Sequence, residues 1–161
     1  MDGKLRNMAA LYILCRDKIL LLYRQGGKLV NNVWVASAGG HFEEGELNNA
    51  KACALRELKE ELGLEENQLI NLQMRYIALK QTNGEIRQNY YFFAEVDNEL
   101  ELLSDEGILE WFNILEINTL AMLYSAKYVI QHYINKGRYN NHLYCGVADG
   151  NGLVFTEMPE Y

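Results

Sequence analysis

The chain has 161 residues, 49% of them hydrophobic, and a formal net charge of −7 from 15 basic and 22 acidic residues. This length suits a single domain, residues 1–161, with one hydrophobic core. The negative charge argues against a general nucleic-acid or membrane-surface binder, because both need a basic field.

No apolar run approaches the roughly 20 residues that a membrane-spanning helix needs, and the N-terminus does not have the pattern of a secretion signal. The three cysteines are scattered and have no CxxC spacing, which favours free thiols over disulfides or a zinc site. We therefore expect a soluble, cytoplasmic protein.

The first half of the chain is predicted to begin with a β-hairpin. Apolar residues 8–15 and 18–23 form its strands, and Arg16 and Asp17 form its turn. Residues 33–36 read as a short strand that leads into a glycine-rich, acidic loop, residues 39–46. A helix should follow this loop, with Asn48 or Asn49 as its N-cap and Gly63 at its end.

The second half is predicted to contain more strands and a second helix. Residues 69–80 and 86–96 are long strands joined by a turn at Asn83 and Gly84, and residues 109–114 are a short strand. Apolar residues recur at helical spacing over 119–136, so we expect an amphipathic helix that stops at Gly137. Residues of about 142–158 form an added hairpin, which could seal the core, roof a cleft or pair across a homodimer.

Three carboxylates share one face of the first helix. Glu57, Glu60 and Glu61 are spaced i, i+3 and i+4, so they project the same way and repel one another unless a cation or solvent screens them. A glutamate-rich helix is commonly just a solvated face. Here the acidic loop before it adds further oxygen ligands, and oxygen-only sites suit Mg²⁺ or Mn²⁺.

The pattern Gly-Gly-x-x-Glu-x-Gly-Glu, followed by Arg-Glu-Leu-x-Glu-Glu-x-Gly-Leu, resembles the signature box of the Nudix hydrolases and spans residues 39–64. The resemblance implies an α/β fold, an α/β/α sandwich with a mixed β-sheet between helices, to which this chain adds a C-terminal β-hairpin. One departure is definite. Nine residues, 47–55, separate Glu46 from Arg56, whereas the family has seven. A contact between Glu46 and Arg56 thus requires the longer loop to fold back.

The resemblance also implies roles for residues of the box. Glu60 and Glu61 would bind the metal, and Glu57 would be either a third ligand or the base that activates water. Arg56 would orient these carboxylates. Gly40 would offer its backbone carbonyl as a further ligand.

Two residues outside the box complete the predicted site. Glu106, in an acidic loop before a Trp-Phe pair, is the candidate for a distant metal ligand, and Arg24, at the end of a strand, is the candidate for a phosphate contact. Weaker candidates are Glu85 and Glu110 for the metal, and Lys80 and Arg87 for phosphate.

The implied activity is Mg²⁺-dependent hydrolysis of a diphosphate bond in a small nucleotide, with Mn²⁺ as an alternative ion. The nearest resemblance is to the branch that cleaves nucleoside triphosphates such as 8-oxo-dGTP into monophosphate and pyrophosphate. Two alternatives stay open. The added hairpin could enclose the second moiety of ADP-ribose or a nucleotide sugar, and a displaced Glu46 could mark a nucleotide sensor without turnover.

Overall fold

Nine strands and two α-helices lie in the part of the chain that the computed structural model describes, residues 4–27 and 31–160. The strands are β1 (Lys4–Cys15), β2 (Lys18–Arg24), β3 (Val33–Val35), β4 (Ala38–His41), β5 (Ile70–Thr82), β6 (Glu85–Glu95), β7 (Gly107–Asn113), β8 (Leu143–Ala148) and β9 (Leu153–Met158). The helices are α1 (Ala50–Leu62) and α2 (Tyr124–Asn135), and short 3-10 turns cover Glu66–Gln68, Ile117–Thr119 and Gly137–Tyr139.

All nine strands join one mixed sheet, as predicted. Its main path runs β3-β2-β1-β6-β5-β8-β9, while β4 pairs with β1 and β7 pairs with β2. The β1–β6 and β5–β8 pairs are parallel, and the other pairs are antiparallel.

Strand β1 changes partner along its length, and Ser37 fills the point of change. Residues 8–11 of β1 pair with β4, whereas residues 13–15 pair with β2. Between the two partners, the Ile13 N–H donates to Ser37 Oγ at 2.9 Å, and Ser37 Oγ donates to the Leu20 carbonyl at 2.6 Å. Ser37 is fully buried, so water cannot reach these two backbone groups, and the Ser37 hydroxyl provides the hydrogen bonds that a neighbouring strand would otherwise make.

Each face of the sheet carries one helix, which confirms the predicted sandwich. Side chains alternate along β1, so that Leu11 and Ile13 lie in the same core as Leu58 of α1, while Tyr12 packs with Val129 of α2. We refer to these two faces as the α1 side and the α2 side.

The C-terminal hairpin extends the sheet on the α2 side. Strand β8 adds in parallel to β5, and Tyr144 of β8 is buried. Phe155 of β9 packs against Tyr76 and His132, with ring centroids 5.7 Å and 4.3 Å away. The hairpin therefore seals the core between β5 and α2.

Several predicted boundaries were wrong, and two of the differences have a clear physical cause. Residues 39 and 40 are not loop but part of β4, because Gly39 and Gly40 pair with Ala10 and Ala9. The second helix begins at Tyr124 rather than 119, because the Trp34 N–H donates to the Ala121 carbonyl at 2.9 Å and holds this segment extended. In the described part of the chain, neither helix has the length and apolarity to cross a bilayer.

Replacing Ser37 tests the junction of β1 with its two partners. Ser37→Ala leaves a buried N–H and a buried carbonyl without a partner, so the free energy of unfolding should fall by about 1–3 kcal/mol. Urea denaturation of wild type and variant measures this loss.

Ser125→Ala is the matched control, because Ser125 is also buried, yet its hydroxyl has no hydrogen bond to any residue of 4–27 or 31–160. Equal losses in both variants would show that Ser37 contributes only packing.

Candidate active site

Helix α1 starts and ends where the sequence predicts. Asn49 is the N-cap, and its Oδ1 accepts a hydrogen bond from the Ala52 N–H at 3.1 Å. Gly63 ends the helix in the left-handed conformation, with φ +67°. The helix is thus unbroken between its two ends. Arg56, Glu57, Glu60 and Glu61 therefore keep the helical spacing that the sequence predicts.

The loop before α1 folds back so that Glu46 reaches Arg56. Asn48 adopts φ +67°, and the Asn49 N–H donates to the Glu46 carbonyl at 2.8 Å. Arg56 then donates from Nε to Glu46 Oε1 at 2.6 Å and from Nη2 to Glu46 Oε2 at 3.2 Å. The two extra residues therefore do not prevent a two-pronged ion pair.

Arg56 also holds two of the three carboxylates on the α1 face. Its Nη1 donates to Glu57 Oε1 at 2.8 Å and to Glu60 Oε2 at 3.0 Å, while Nη2 donates to the His41 carbonyl at 3.0 Å. Its hydrogen bond to Glu46 is the largest influence that lowers the pKa of that carboxyl to about 2. Arg56 therefore ties the end of β4, the loop and α1 together.

Strand β4 lies against the same carboxylates. A Cβ atom at Gly40 would stand 2.3 Å from Glu57 Oε1, so any side chain there would displace Glu57. The Gly39 N–H donates to Glu61 Oε2 at 3.0 Å. The structure thus places Gly40 beside Glu57 and fixes Glu61 by the backbone of β4.

Burial raises the proton affinity of two of these carboxylates. The pKa of Glu61 rises to about 8, first because of burial and then because of the carboxylates of Glu106 and Glu57. The pKa of Glu57 also rises through burial, against the pull of Arg56. Burial therefore favours the protonated form of both carboxylates when no cation is near them.

The acidic loop before β7 closes the site. A cleft of about 220 Å³ is lined by Glu57, Glu60, Glu61, Ser104, Asp105 and Glu106. The sequence predicts Glu106 as the functional residue of this loop but not Asp105. The one feature of the sequence that points to Asp105 is its position next to Glu106. Arg24 reaches the same loop, with Nη2 2.5 Å from Glu106 Oε2.

The alternative candidates lie elsewhere. Glu85 pairs with Arg87 at 3.4 Å and Arg6 at 3.9 Å, and Glu110 is exposed on β7. Neither lines the acidic cleft.

The cleft has the chemistry of a site for a hard divalent cation. As the side chains stand, no three acidic, His or Cys side chains within residues 4–27 and 31–160 converge at metal-binding distance. Arg56 holds Glu57 and Glu60, and Arg24 holds Glu106. The donors facing the cleft are nevertheless all carboxylate and hydroxyl oxygens. This donor set fits Mg²⁺ or Mn²⁺.

A family model described as the NUDIX domain matches residues 5–133 of the chain. The chain belongs to the Nudix family. As a Nudix hydrolase it acts on phosphoric anhydride bonds, and Nudix hydrolases generally use divalent metals. No curated protein sequence gives a significant match.

Solved Nudix structures share the fold. The MutT protein from Bacillus halodurans is 25% identical, with a TM-score of 0.66, and the match covers 97% of this chain and 99% of that one. The dihydroneopterin triphosphate pyrophosphohydrolase of E. coli is 20% identical, with a TM-score of 0.66 and coverage of 80% and 95%. An Ap4A hydrolase of C. elegans is 17% identical, with a TM-score of 0.66 and coverage of 84% and 99%. The last two show the fold alone.

The ion pair of Glu46 with Arg56 should stabilise the protein in a pH-dependent way. Glu46→Gln should lower the free energy of unfolding at pH 7 by about 1.5–3 kcal/mol, because a charge-assisted hydrogen bond is lost. The pKa of Glu46 is about 2 when folded and about 4.3 in an unfolded chain, so this stabilisation is present above pH 4.3. It should fade as the pH falls toward 2.

Glu43→Gln is the matched control, because Glu43 is 3.6 Å from Arg56 Nε but 65% of its side chain is exposed. Urea titrations of both variants between pH 2 and 7 make the comparison. A pH-independent loss for Glu46→Gln would contradict the assigned ion pair.

Proposed function

We propose that this protein is a Mg²⁺-dependent pyrophosphohydrolase that cleaves a nucleoside triphosphate into a nucleoside monophosphate and pyrophosphate. The observation that carries the proposal is the cleft between α1 and the loop at Glu106, which five carboxylates line and where Arg24 and Arg56 pair with three of them. A polyphosphate is itself an anion, so it can enter this cleft only together with a cation. Mn²⁺ should replace Mg²⁺, since both prefer oxygen ligands.

The chain's own residues have distinct tasks in this proposal. Glu60, Glu61, Glu106 and the Gly40 carbonyl hold the ion, and Glu57 is either a further ligand or the base that takes the proton from water. When bound, the ion neutralises phosphate oxygens and lowers the pKa of a water molecule.

The two arginines position the groups around the ion. Arg56 keeps Glu57 and Glu60 in place through Nη1. Arg24 can exchange its contact with Glu106 for a phosphate oxygen, which leaves the Glu106 carboxylate free for the ion.

The triphosphate class is chosen because the loop at residues 104–107, followed by Trp111 and Phe112, resembles that branch of the family. The Bacillus halodurans MutT protein shares the fold over nearly the whole chain. 8-oxo-dGTP is the first substrate to test within the triphosphate class. Hydrolysis of ADP-ribose or a nucleotide sugar was suggested by the added hairpin, but the hairpin lies on β5 and does not line the cleft. A nucleotide sensor without turnover was suggested by a displaced Glu46, but Glu46 contacts Arg56.

Product analysis tests the proposal. Purified protein with Mg²⁺ is given 8-oxo-dGTP, the four normal deoxynucleoside triphosphates, ADP-ribose and a nucleotide sugar. Monophosphate and pyrophosphate from a triphosphate are expected. Sugar phosphate as the sole second product, or no hydrolysis of any compound, would overturn the proposal.

Glu61, which faces the cleft, should contribute far more to turnover than Glu65, which lies beyond the end of α1. Glu61→Gln should lower turnover at least about 100-fold, because a charged ligand becomes neutral. Its unfolding free energy without metal should not fall, since burial already disfavours the charge of Glu61.

Glu65→Gln is the control, because Glu65 follows Gly63 and its exposed side chain pairs with Lys59 at 3.0 Å. Steady-state kinetics of both variants measures the loss of turnover, and urea denaturation shows whether a loss of stability accompanies it. Equal losses of turnover would refute the assignment of the α1 face.

A further inference from the structure

A second polar pocket opens on the α2 side of the sheet, whereas the acidic cleft lies on the α1 side. The pocket has a volume of about 180 Å³, and among the described residues none lines both the pocket and the cleft. We call it the arginine pocket. It is lined by Leu14, Asn71, Gln73, Arg75, Phe93, Ala94, Glu95, Tyr133, Arg138, Asn140 and Asn141.

A bulge in β5 turns a charged side chain into the arginine pocket. The pairing of β5 with β6 is irregular between Met74 and Tyr76. Such a bulge lets consecutive side chains point to the same face, and here Tyr76 packs in the α2-side core while Arg75 lines the pocket. Bulges that redirect a side chain in this way are common beside functional sites.

Arg75 is buried, yet one end of its guanidinium is left for a ligand. The residue is 5% exposed. Its Nε donates to the His142 carbonyl at 3.0 Å, and its Nη2 donates to the carbonyls of Gly137 and Asn140 at 2.7 Å and 2.8 Å. Its Nη1 has no hydrogen-bond partner among the residues that the structure describes, and it is not sealed from solvent.

The positive charge of the arginine pocket has no paired counter-ion. Neither Arg75 nor Arg138 forms an ion pair with any residue of 4–27 or 31–160. Glu95 is the one carboxylate among the lining residues, and its Oε2 accepts a hydrogen bond from Asn71 Nδ2 at 3.1 Å. A guanidinium buried without an anion is costly, so an anion that reaches Nη1 would stabilise the folded chain.

An aromatic wall adds a neutral donor beside the two guanidiniums. The Tyr133 ring stacks on Phe93 with centroids 4.2 Å apart, and Arg75 Cζ lies 5.9 Å from the centroid of the Tyr133 ring. Within the described part of the chain, the Tyr133 hydroxyl makes no hydrogen bond. It is therefore available to a ligand in the pocket.

We propose that the arginine pocket binds a small phosphate-type anion through Arg75 Nη1, the guanidinium of Arg138 and the Tyr133 hydroxyl. A phosphate has enough oxygens and charge for two guanidiniums and a hydroxyl, whereas a carboxylate offers two oxygens and one charge. The pocket is smaller than the roughly 300–1,000 Å³ of sites for drug-sized molecules, so the ligand is phosphate itself or a compact molecule that carries it.

The contacts of Arg75 with the chain after α2 do not explain this arrangement by themselves. They account for the burial of Nε and Nη2, but not for an open Nη1 with a second guanidinium beside the same cavity. The pocket is separate from the acidic cleft, so the inference does not depend on the proposed hydrolysis.

Titration with inorganic phosphate tests the arginine pocket. Calorimetry in EDTA, at an ionic strength held constant with NaCl, should show saturable binding of one phosphate per chain. Sodium acetate should bind at least about 10-fold more weakly, because it has fewer oxygens and less charge. Arg138→Gln should weaken phosphate binding about 10-fold or more, because charge-assisted hydrogen bonds are lost.

Arg6→Gln is the matched control, because Arg6 lies about 26 Å along β1 from Leu14, and its side chain is 40% exposed. It should leave phosphate affinity within about 3-fold of wild type. Equal weakening by Arg6→Gln and Arg138→Gln would show non-specific attraction and overturn the inference. Absence of saturable binding by wild type, or equal affinity for acetate, would also overturn it.

The position of the bound phosphate can be read from ¹H–¹⁵N spectra of the same titration. The amide signals of Tyr133, Arg138 and Asn141 should shift, and they should shift less in Arg138→Gln at the same phosphate concentration. Shifts confined to residues 39–40 and 56–61 would place the phosphate in the acidic cleft and contradict binding in the arginine pocket.

Discussion

The guanidinium of Arg56 is the contact on which the active site depends. It joins three segments that are separate in sequence: the end of β4 through the His41 carbonyl, the loop through Glu46, and α1 through Glu57 and Glu60. Carboxylates at this spacing repel one another. The half-buried guanidinium of Arg56 lets these carboxylates stay close without a metal ion. A bound metal ion can then take over part of the positive charge that Arg56 supplies.

The sheet supports Arg56 by fixing β4. Ser37 ends the pairing of β1 with β2 and allows β4 to take the same edge of β1, which brings Gly39 and Gly40 against α1. Because Gly40 has no side chain, Glu57 can lie directly over the strand. The pairing of β1 with two partners thus sets the position of the glutamates.

Much of the site could be predicted from the sequence because its parts are local. Asn49, Gly63 and the i, i+3, i+4 glutamates follow from helix rules, and these rules hold in α1. The return of Glu46 to Arg56 could not be predicted, because it depends on the conformation of Asn48 in a loop of unusual length. Strand β4 was missed because glycines carry no strand signal.

Metal binding by the α1 face is tested most directly by Mn²⁺ titration followed by electron paramagnetic resonance, without any nucleotide. Wild type should bind Mn²⁺ and release it to excess Mg²⁺. Glu61→Gln should weaken binding at least about 10-fold, whereas Glu65→Gln should match wild type. Equal Mn²⁺ affinity in all three proteins, or no binding by wild type, would contradict a metal site built from the carboxylates around Arg56.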